Sequence, residues 1–237
     1  MHPKIVIIIP ACNEATTIAS VVRHGLDFGD VVVVDDFCTD NTADLASTAG
    51  ASVLRLPFRM GAWSAVQAGM HYAARFQYEY YVTLDADAQH DPKDIQKLVQ
   101  RVANDANTIA IGSDISRGSR ARKFAWIVFR WLTRLPCADL TSGYRVYNQK
   151  TLPTLLSKKA TLCEYQDIGI LMLLKKNGFH FAEVNVSMRP RAVGASRIFS
   201  NWGTVFLYLM KTMVISLFSH FDTRNPCDDD WRCYGKR

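Results

Sequence analysis

Short, largely apolar runs alternate in the first half of this chain with stretches whose apolar residues recur at helical spacing, and this alternation constrains the fold more than any other feature. The runs Ile5–Ile9, Val31–Val34, Val53–Leu56, Tyr80–Leu84 and Thr108–Ile111 have strand length. Continuous apolar character of that kind marks strands buried on both faces. Between them Ile18, Val21, Val22 and Leu26 fall on one helical face, as do Ile95, Leu98, Val99 and Val102 behind the start signal Asp91-Pro92. Together they predict an α/β fold, a doubly wound and mainly parallel sheet with helices on both faces, in which ligands gather at the carboxyl ends of the strands. The second half is less regular: a loop at 136–143, a helix near 165–177 stopped by Gly178, and a strand near 180–187. From Trp202 to Phe221 the chain is almost wholly apolar apart from Lys211 and His220. As a helix this segment would be about 30 Å long, nominally a bilayer's thickness. A central lysine costs about 3 kcal/mol in hydrocarbon, so an interfacial helix is the first reading, a docked core helix the second and a span the third. The division is residues 1–198 for the α/β domain and 199–237 for the appended helix and tail.

The residues just past each strand carry the chemistry. After Tyr80–Leu84 comes Asp85-Ala86-Asp87-Ala88-Gln89-His90. In extended chain Asp85, Asp87 and Gln89 would share a face and present three oxygen-bearing groups. Hard oxygen donors suit Mg²⁺ or Mn²⁺, and magnesium takes one or two carboxylates plus substrate phosphates. Such a metal would bridge a diphosphate. The alternative is that these acids cap the next helix, but Asp91 before Pro92 already fits that task. The first strand ends in Pro10-Ala11-Cys12-Asn13-Glu14, without GxGxxG or GxxxxGK[ST]. Glu14 at a helix start would repel a phosphate, so the turn suits a base or ribose, and Asn13 is weighed equally as a helix cap and a ligand contact. After Val31–Val34, Asp35 and Asp36 point to opposite sides; Asp36 is the one expected to face the crevice, and Asp40 to cap the following helix.

The formal charge of +6 and a pI near 9.0 favour an anionic partner. Basic residues concentrate at 117–134, with Arg117, Arg120, Arg122, Lys123, Arg130 and Arg134, while residues 27–44 are acidic. No nucleic-acid recognition motif accompanies the charge, so nucleic acid is not the expected partner. Apolar and aromatic residues interleave with the later arginines, as on a solvated helix with an apolar inner face or on one that meets lipid headgroups. The six cysteines form no CxxC pair and no zinc spacing, and Ile5–Ile9 stops at Pro10 instead of forming an export signal. The expected location is cytoplasmic and peripheral, at the inner face of a membrane.

In order along the chain, Pro10-Ala11-Cys12-Asn13-Glu14, Val33-Val34-Asp35-Asp36 with Asp40 and Thr42, Asp85-Ala86-Asp87-Ala88-Gln89-His90, Ser142-Gly143-Tyr144-Arg145 and Arg191-Ala192-Val193-Gly194-Ala195-Ser196-Arg197 resemble glycosyltransferase family 2, with its GT-A fold. The likeness is greatest to that family's dolichol- and polyprenyl-phosphate sugar synthases and covers roughly residues 4–198. The resemblance implies that Pro10, Glu14 and Asp36 hold the nucleoside of a UDP- or GDP-linked sugar donor. It implies that Asp85, Asp87 and Gln89 surround Mg²⁺ or Mn²⁺, and that Arg117, Arg145, Arg191 and Arg197 handle phosphate. It further implies inversion at the anomeric carbon. Two departures stand out: Arg59-Met60-Gly61-Ala62-Trp63 where the family often has Asn-x-Gly-Lys-Gly, and Arg197 where it has lysine. The acceptor is expected to be a polyprenyl phosphate, already anionic at neutral pH. The rival acceptor, a saccharide hydroxyl, needs a general base, for which Asp167 is the candidate. A reading of another class is a non-catalytic protein that binds nucleotide-sugar or serves as a membrane scaffold.

Overall fold

The computed structural model describes residues 4–114, 133–137, 139, 142–163 and 168–188. Seven strands make one sheet among these residues: β1 Ile5–Ala11, β2 Asp30–Asp35, β3 Ser52–Arg55, β4 Tyr80–Thr83, β5 Thr108–Ser113, β6 Arg145–Asn148 and β7 His180–Asn185. Their spatial order is β3-β2-β1-β4-β6-β5-β7. The pairs β1/β2, β1/β4, β2/β3 and β5/β7 are parallel, and β6 runs antiparallel between β4 and β5. The mainly parallel α/β architecture read from the sequence is therefore the observed one. The helices are α1 Ile18–Leu26, α2 Thr42–Thr48, α3 Ala62–Ala73, α4 Ile95–Ala103, two single turns, α5 Leu152–Leu155 and α6 Lys158–Thr161, and α7 Ile168–Lys176.

Strand alternation sorts the core into two layers. Ile5, Ile7, Ile9, Val31 and Val33 face α1 and α4, whereas Val6, Ile8, Val32 and Val34 face α3, α5 and α7. Ile7, Ile8 and Ile9 have no exposed surface, and each such side chain contributes about 1.5–3 kcal/mol. On the second face α3 lies close to the sheet because Gly69 carries no side chain; a Cβ there would meet Ile8 Cγ2 at 2.5 Å. Trp63 Nε1 donates to the Ala160 carbonyl at 2.7 Å and Gln67 Nε2 to the Leu155 carbonyl at 2.8 Å, which fastens α3 to the single turns.

Several local expectations need correction. Leu26 is 40% exposed, and Gly25 takes the buried position on α1 against Val31. β4 ends at Thr83, and α1 begins at Ile18 after a turn in which the Glu14 carbonyl accepts from the Thr17 and Ile18 amides. Asn13 therefore caps no helix. Neither α3 nor the antiparallel β6 was foreseen. All four residues of α4 expected inside are buried, and Asp91 accepts from the Lys93 amide, as a capping acid should. The segment Trp202–Phe221 lies outside the described residues, among which no helix is long and apolar enough to cross a membrane.

Candidate active site

Sheet order creates the site. From β1 the chain steps outward to β2 and β3, then crosses back to β4 on the other side of β1. That reversal opens a crevice at the carboxyl ends of β1 and β4. Pro10 and Ala11 close β1 beside Val34 and Asp35, while Leu84 donates its amide to the Ile8 carbonyl. Asp36 and Asp85 thus flank the end of β1, one on each side, about two strand spacings or 10 Å apart.

The β1/β2 side of the crevice is built from two clasped loops. Asn13 sits at φ 56° and accepts the Thr39 amide on Oδ1 at 2.8 Å, while its own amide reaches Cys38 Sγ at 3.1 Å. The Glu14 amide donates to Thr42 Oγ1 at 2.8 Å. Asp40 accepts the Thr42 amide and hydroxyl on Oδ1 and the Ala15 amide on Oδ2; Asn41 holds the N-cap position of α2, so the expected cap is corrected to a turn ahead of the helix that ties it to the first loop. Burial is the largest single influence and raises the Asp40 carboxyl, but the hydrogen bonds from Thr42 and Ala15 together outweigh it and hold the group below its ordinary range. Burial, then the Asp35 carboxylate, pushes the Cys38 thiol up to about 12. Asp35 accepts the Cys38 amide at 2.8 Å. Asp36 is buried, and its two oxygens accept the Met60 amide at 2.6 Å and the Gly61 amide at 2.9 Å. Its evident work is to hold the loop ahead of α3, where Gly61 takes φ 89°, a value natural only to glycine.

The acidic loop after β4 is not extended. Residues 86–87 turn, Ala88 takes φ 59°, and Asp87 Oδ1 accepts the Gln89 amide at 3.1 Å. The expected single face carrying Asp85, Asp87 and Gln89 is thereby corrected: the local Asp87 hydrogen bond curls the chain. Thr17 Oγ1 donates to the Ala86 carbonyl at 2.7 Å and pins the turn to α1. Asp85 is held from below. Its amide donates to His90 Nδ1 at 3.4 Å, and its Oδ2 lies 3.7 Å from the same nitrogen. The buried His90 ring stacks on Tyr144, 5.0 Å between centroids, and the Tyr144 hydroxyl donates to the Asp91 carbonyl. Burial, then the Asp94 and Asp91 carboxylates, push that hydroxyl's pKa upward. Gly143 passes so near that a Cβ would stand 2.6 Å from Asp85 Oδ1. The Asp85 side chain itself remains 47% exposed at the crevice mouth. Among the described residues no three His, Cys, Asp or Glu side chains form a metal cluster.

Arg145 opens β6 and is completely buried, its Nε donating to the Ser142 carbonyl at 2.9 Å. In this conformation the guanidinium offers no surface to a phosphate, and it organises the turn that carries Gly143. Arg117, Asp167, Arg191 and Arg197 lie outside the described residues. Sequence reasoning gave no role to Thr17, Thr42, His90, Gly143 or Tyr144. His90, Gly143 and Tyr144 sat inside quoted motifs, but their contacts join segments over fifty residues apart.

The model of "Glycosyl transferase family 2" matches residues 6–161. The chain belongs to this family. Among its curated relatives, the polyprenol monophosphomannose synthase of Mycolicibacterium smegmatis is 27% identical over 82% of this chain and 81% of its own length. The undecaprenyl-phosphate mannosyltransferase of Micrococcus luteus is 27% identical over 82% and 87%, respectively. The glucosyl-3-phosphoglycerate synthase of Mycobacterium tuberculosis, solved with Mn²⁺, UDP-glucose and phosphoglyceric acid, superposes with a TM-score of 0.70 at 21% identity, covering 90% of this chain and 79% of that one. This likeness establishes a GT-A-type fold for the family-2 glycosyltransferase.

Proposed function

We propose that this glycosyltransferase moves a hexose-type sugar, with inversion, from a UDP- or GDP-linked donor to a polyprenyl phosphate, working peripherally at the cytoplasmic face of a membrane. The observation that carries the reading is the pairing of the acidic crevice at β1 and β4 with relatives, named for lipid-phosphate glycosyl transfer, that match about four-fifths of the chain. The basic run at 117–134 supports an anionic acceptor, because arginine engages phosphate through paired charge-assisted hydrogen bonds. Residues 1–198 are the catalytic unit in this proposal, and 199–237 lie against the membrane.

The donor set fits a divalent cation: Asp85, Asp87 and Gln89 offer only hard oxygens, and the Asp85 carboxylate is half open to water beside a glycine that leaves it room. These residues would hold Mg²⁺ or Mn²⁺, which when bound supplies positive charge for the departing diphosphate. The rest is the chain's own work. Glu14 and Pro10 line the nucleoside side, Asp36 fixes the loop before α3, and Thr17 and His90 hold the acidic turn in place. Arg117, Arg191 and Arg197 are assigned to phosphate.

The test is transfer from UDP- and GDP-linked sugars to a short-chain polyprenyl phosphate and to a panel of saccharides, by the parent and by Asp167→Asn. Lipid transfer that largely survives in Asp167→Asn is the expected result, since a phosphate nucleophile has no proton to lose. Transfer confined to a saccharide and erased in Asp167→Asn overturns the acceptor assignment.

A further inference from the structure

Large apolar side chains are seldom left in water without a reason when they gather in one place. Three of the six strongly exposed ones among the described residues, Phe37 at 54%, Phe58 at 60% and Met60 at 44%, stand on two adjoining loops at the carboxyl edge of β2 and β3. The loops are joined: the Leu56 amide donates to the Asp35 carbonyl, and the Met60 amide to Asp36, the neighbour of Phe37. Phe37 sits at φ 60°, a left-handed conformation that costs a bulky residue about 1–2 kcal/mol. Burial does not compensate that strain, because the ring is more than half exposed. Pro57 and Arg59 complete the tip, both exposed, so the loop reads Pro57-Phe58-Arg59-Met60 with a cation between two apolar side chains.

We infer that this loop pair is a lipid-contacting wedge, which seats the crevice-bearing edge of the sheet on an anionic membrane surface. Aromatic and long apolar side chains enter the headgroup boundary while an arginine stays at the phosphates. Arg59 supplies a cation within the patch itself, exposed between Phe58 and Met60. The placement is right. All the parallel strands end on one edge, so a wedge at β2 and β3 turns the β1/β4 crevice toward the lipid in which a polyprenyl phosphate resides. This inference rests on the proposed acceptor for its purpose but not for its test, which uses no polyprenyl phosphate.

The experiment is hydrogen–deuterium exchange of the full chain with vesicles of phosphatidylglycerol and phosphatidylcholine in equal parts, together with vesicle sedimentation. Exchange in peptides covering 56–61 should slow on addition of these vesicles. Phe58→Asp should weaken partition about tenfold, equivalent to about 1.4 kcal/mol. Phe58→Trp should retain it. Phe37→Gly, which places glycine on a backbone that glycine adopts freely, should fold and also bind vesicles less tightly. Unchanged exchange at 56–61, or parental partition in both Phe58→Asp and Phe37→Gly, overturns the wedge. Protection at 56–61 by UDP-glucose with Mn²⁺ but not by vesicles would overturn it too, and would assign the patch to the donor. A chain that binds vesicles through 56–61 yet transfers no sugar to polyprenyl phosphate would keep the wedge and refute the proposed acceptor.

Discussion

Gly143→Ala tests the acidic site without touching an acid. The glycine backbone is outside the left-handed region, so alanine adopts it without strain, and the perturbation is steric alone. The new Cβ would stand 2.6 Å from Asp85 Oδ1 and 3.1 Å from its Cγ, whereas ordinary contact begins at 3.4 Å. The carboxylate must retreat by roughly 0.8 Å or rotate away. A misplacement near 1 Å in a catalytic constellation costs about a hundredfold, or about 2.7 kcal/mol of barrier. Stability should move little, because the Asp85 side chain is half exposed and has somewhere to go. The assay is kcat at saturating donor and metal, beside a thermal melt, for Gly143→Ala, Asp85→Ala and the double variant. The double variant should be no worse than Asp85→Ala, since no carboxylate remains to be displaced. Parental turnover in a folded Gly143→Ala, or fully additive losses in the double variant, would refute the argument.

Other outcomes follow from the same structure. Asp87→Asn should abolish transfer and weaken metal-dependent donor binding, measured by a thermal shift with Mn²⁺ and a nucleotide sugar; full activity of the parent in EDTA would remove the metal assignment. Cys38, with its thiol pushed up to about 12, stays protonated across the neutral range, because a raised pKa delays thiolate formation as pH rises. Its alkylation by iodoacetamide at about pH 8 should run at least roughly tenfold slower than that of glutathione, read by peptide mass spectrometry. Gly69→Ala drives a Cβ to 2.5 Å from Ile8 Cγ2 and 3.0 Å from Val34 Cγ2, and should cost about 1–3 kcal/mol in urea unfolding while sparing the order of the sheet.

What the sequence made legible was whatever rests on local periodicity. β1, β2, α1 and α4 are written in apolar runs and helical spacing, and their cores came out as read apart from Leu26 of α1. α3 was invisible because it buries Ala65, Gln67 and Gly69 as readily as Val66 and Met70; small residues chosen for close packing erase the contrast that periodicity needs. β6 is four residues long and opens on an arginine, so nothing in Arg145-Val146-Tyr147-Asn148 announces a strand with partners on both sides. At the site, the identity of the acids was readable but not their arrangement. The Gln89 amide donating to Asp87, Ala88 at φ 59° and Thr17 bonded to the Ala86 carbonyl curl the loop, and the neighbours of Asp85 arrive from residues 90 and 143–144.

The reversed strand β6 has one more consequence. Because it runs against β4 and β5, the chain leaves β5 and re-enters the sheet at the same edge, and Ser142 Oγ locks the two points together by donating to the Gly112 carbonyl at 2.5 Å. The connection between Asp114 and Thr133 therefore starts and ends on anchored chain, because Leu135 and Cys137 are buried with Ile111, Ile168 and Leu171. Closing such a loop costs only about 0.6 kcal/mol more for each doubling of its length. A change in chain length between Asp114 and Thr133 should thus leave every strand pairing as it is, provided that the buried Leu135 and Cys137 are kept.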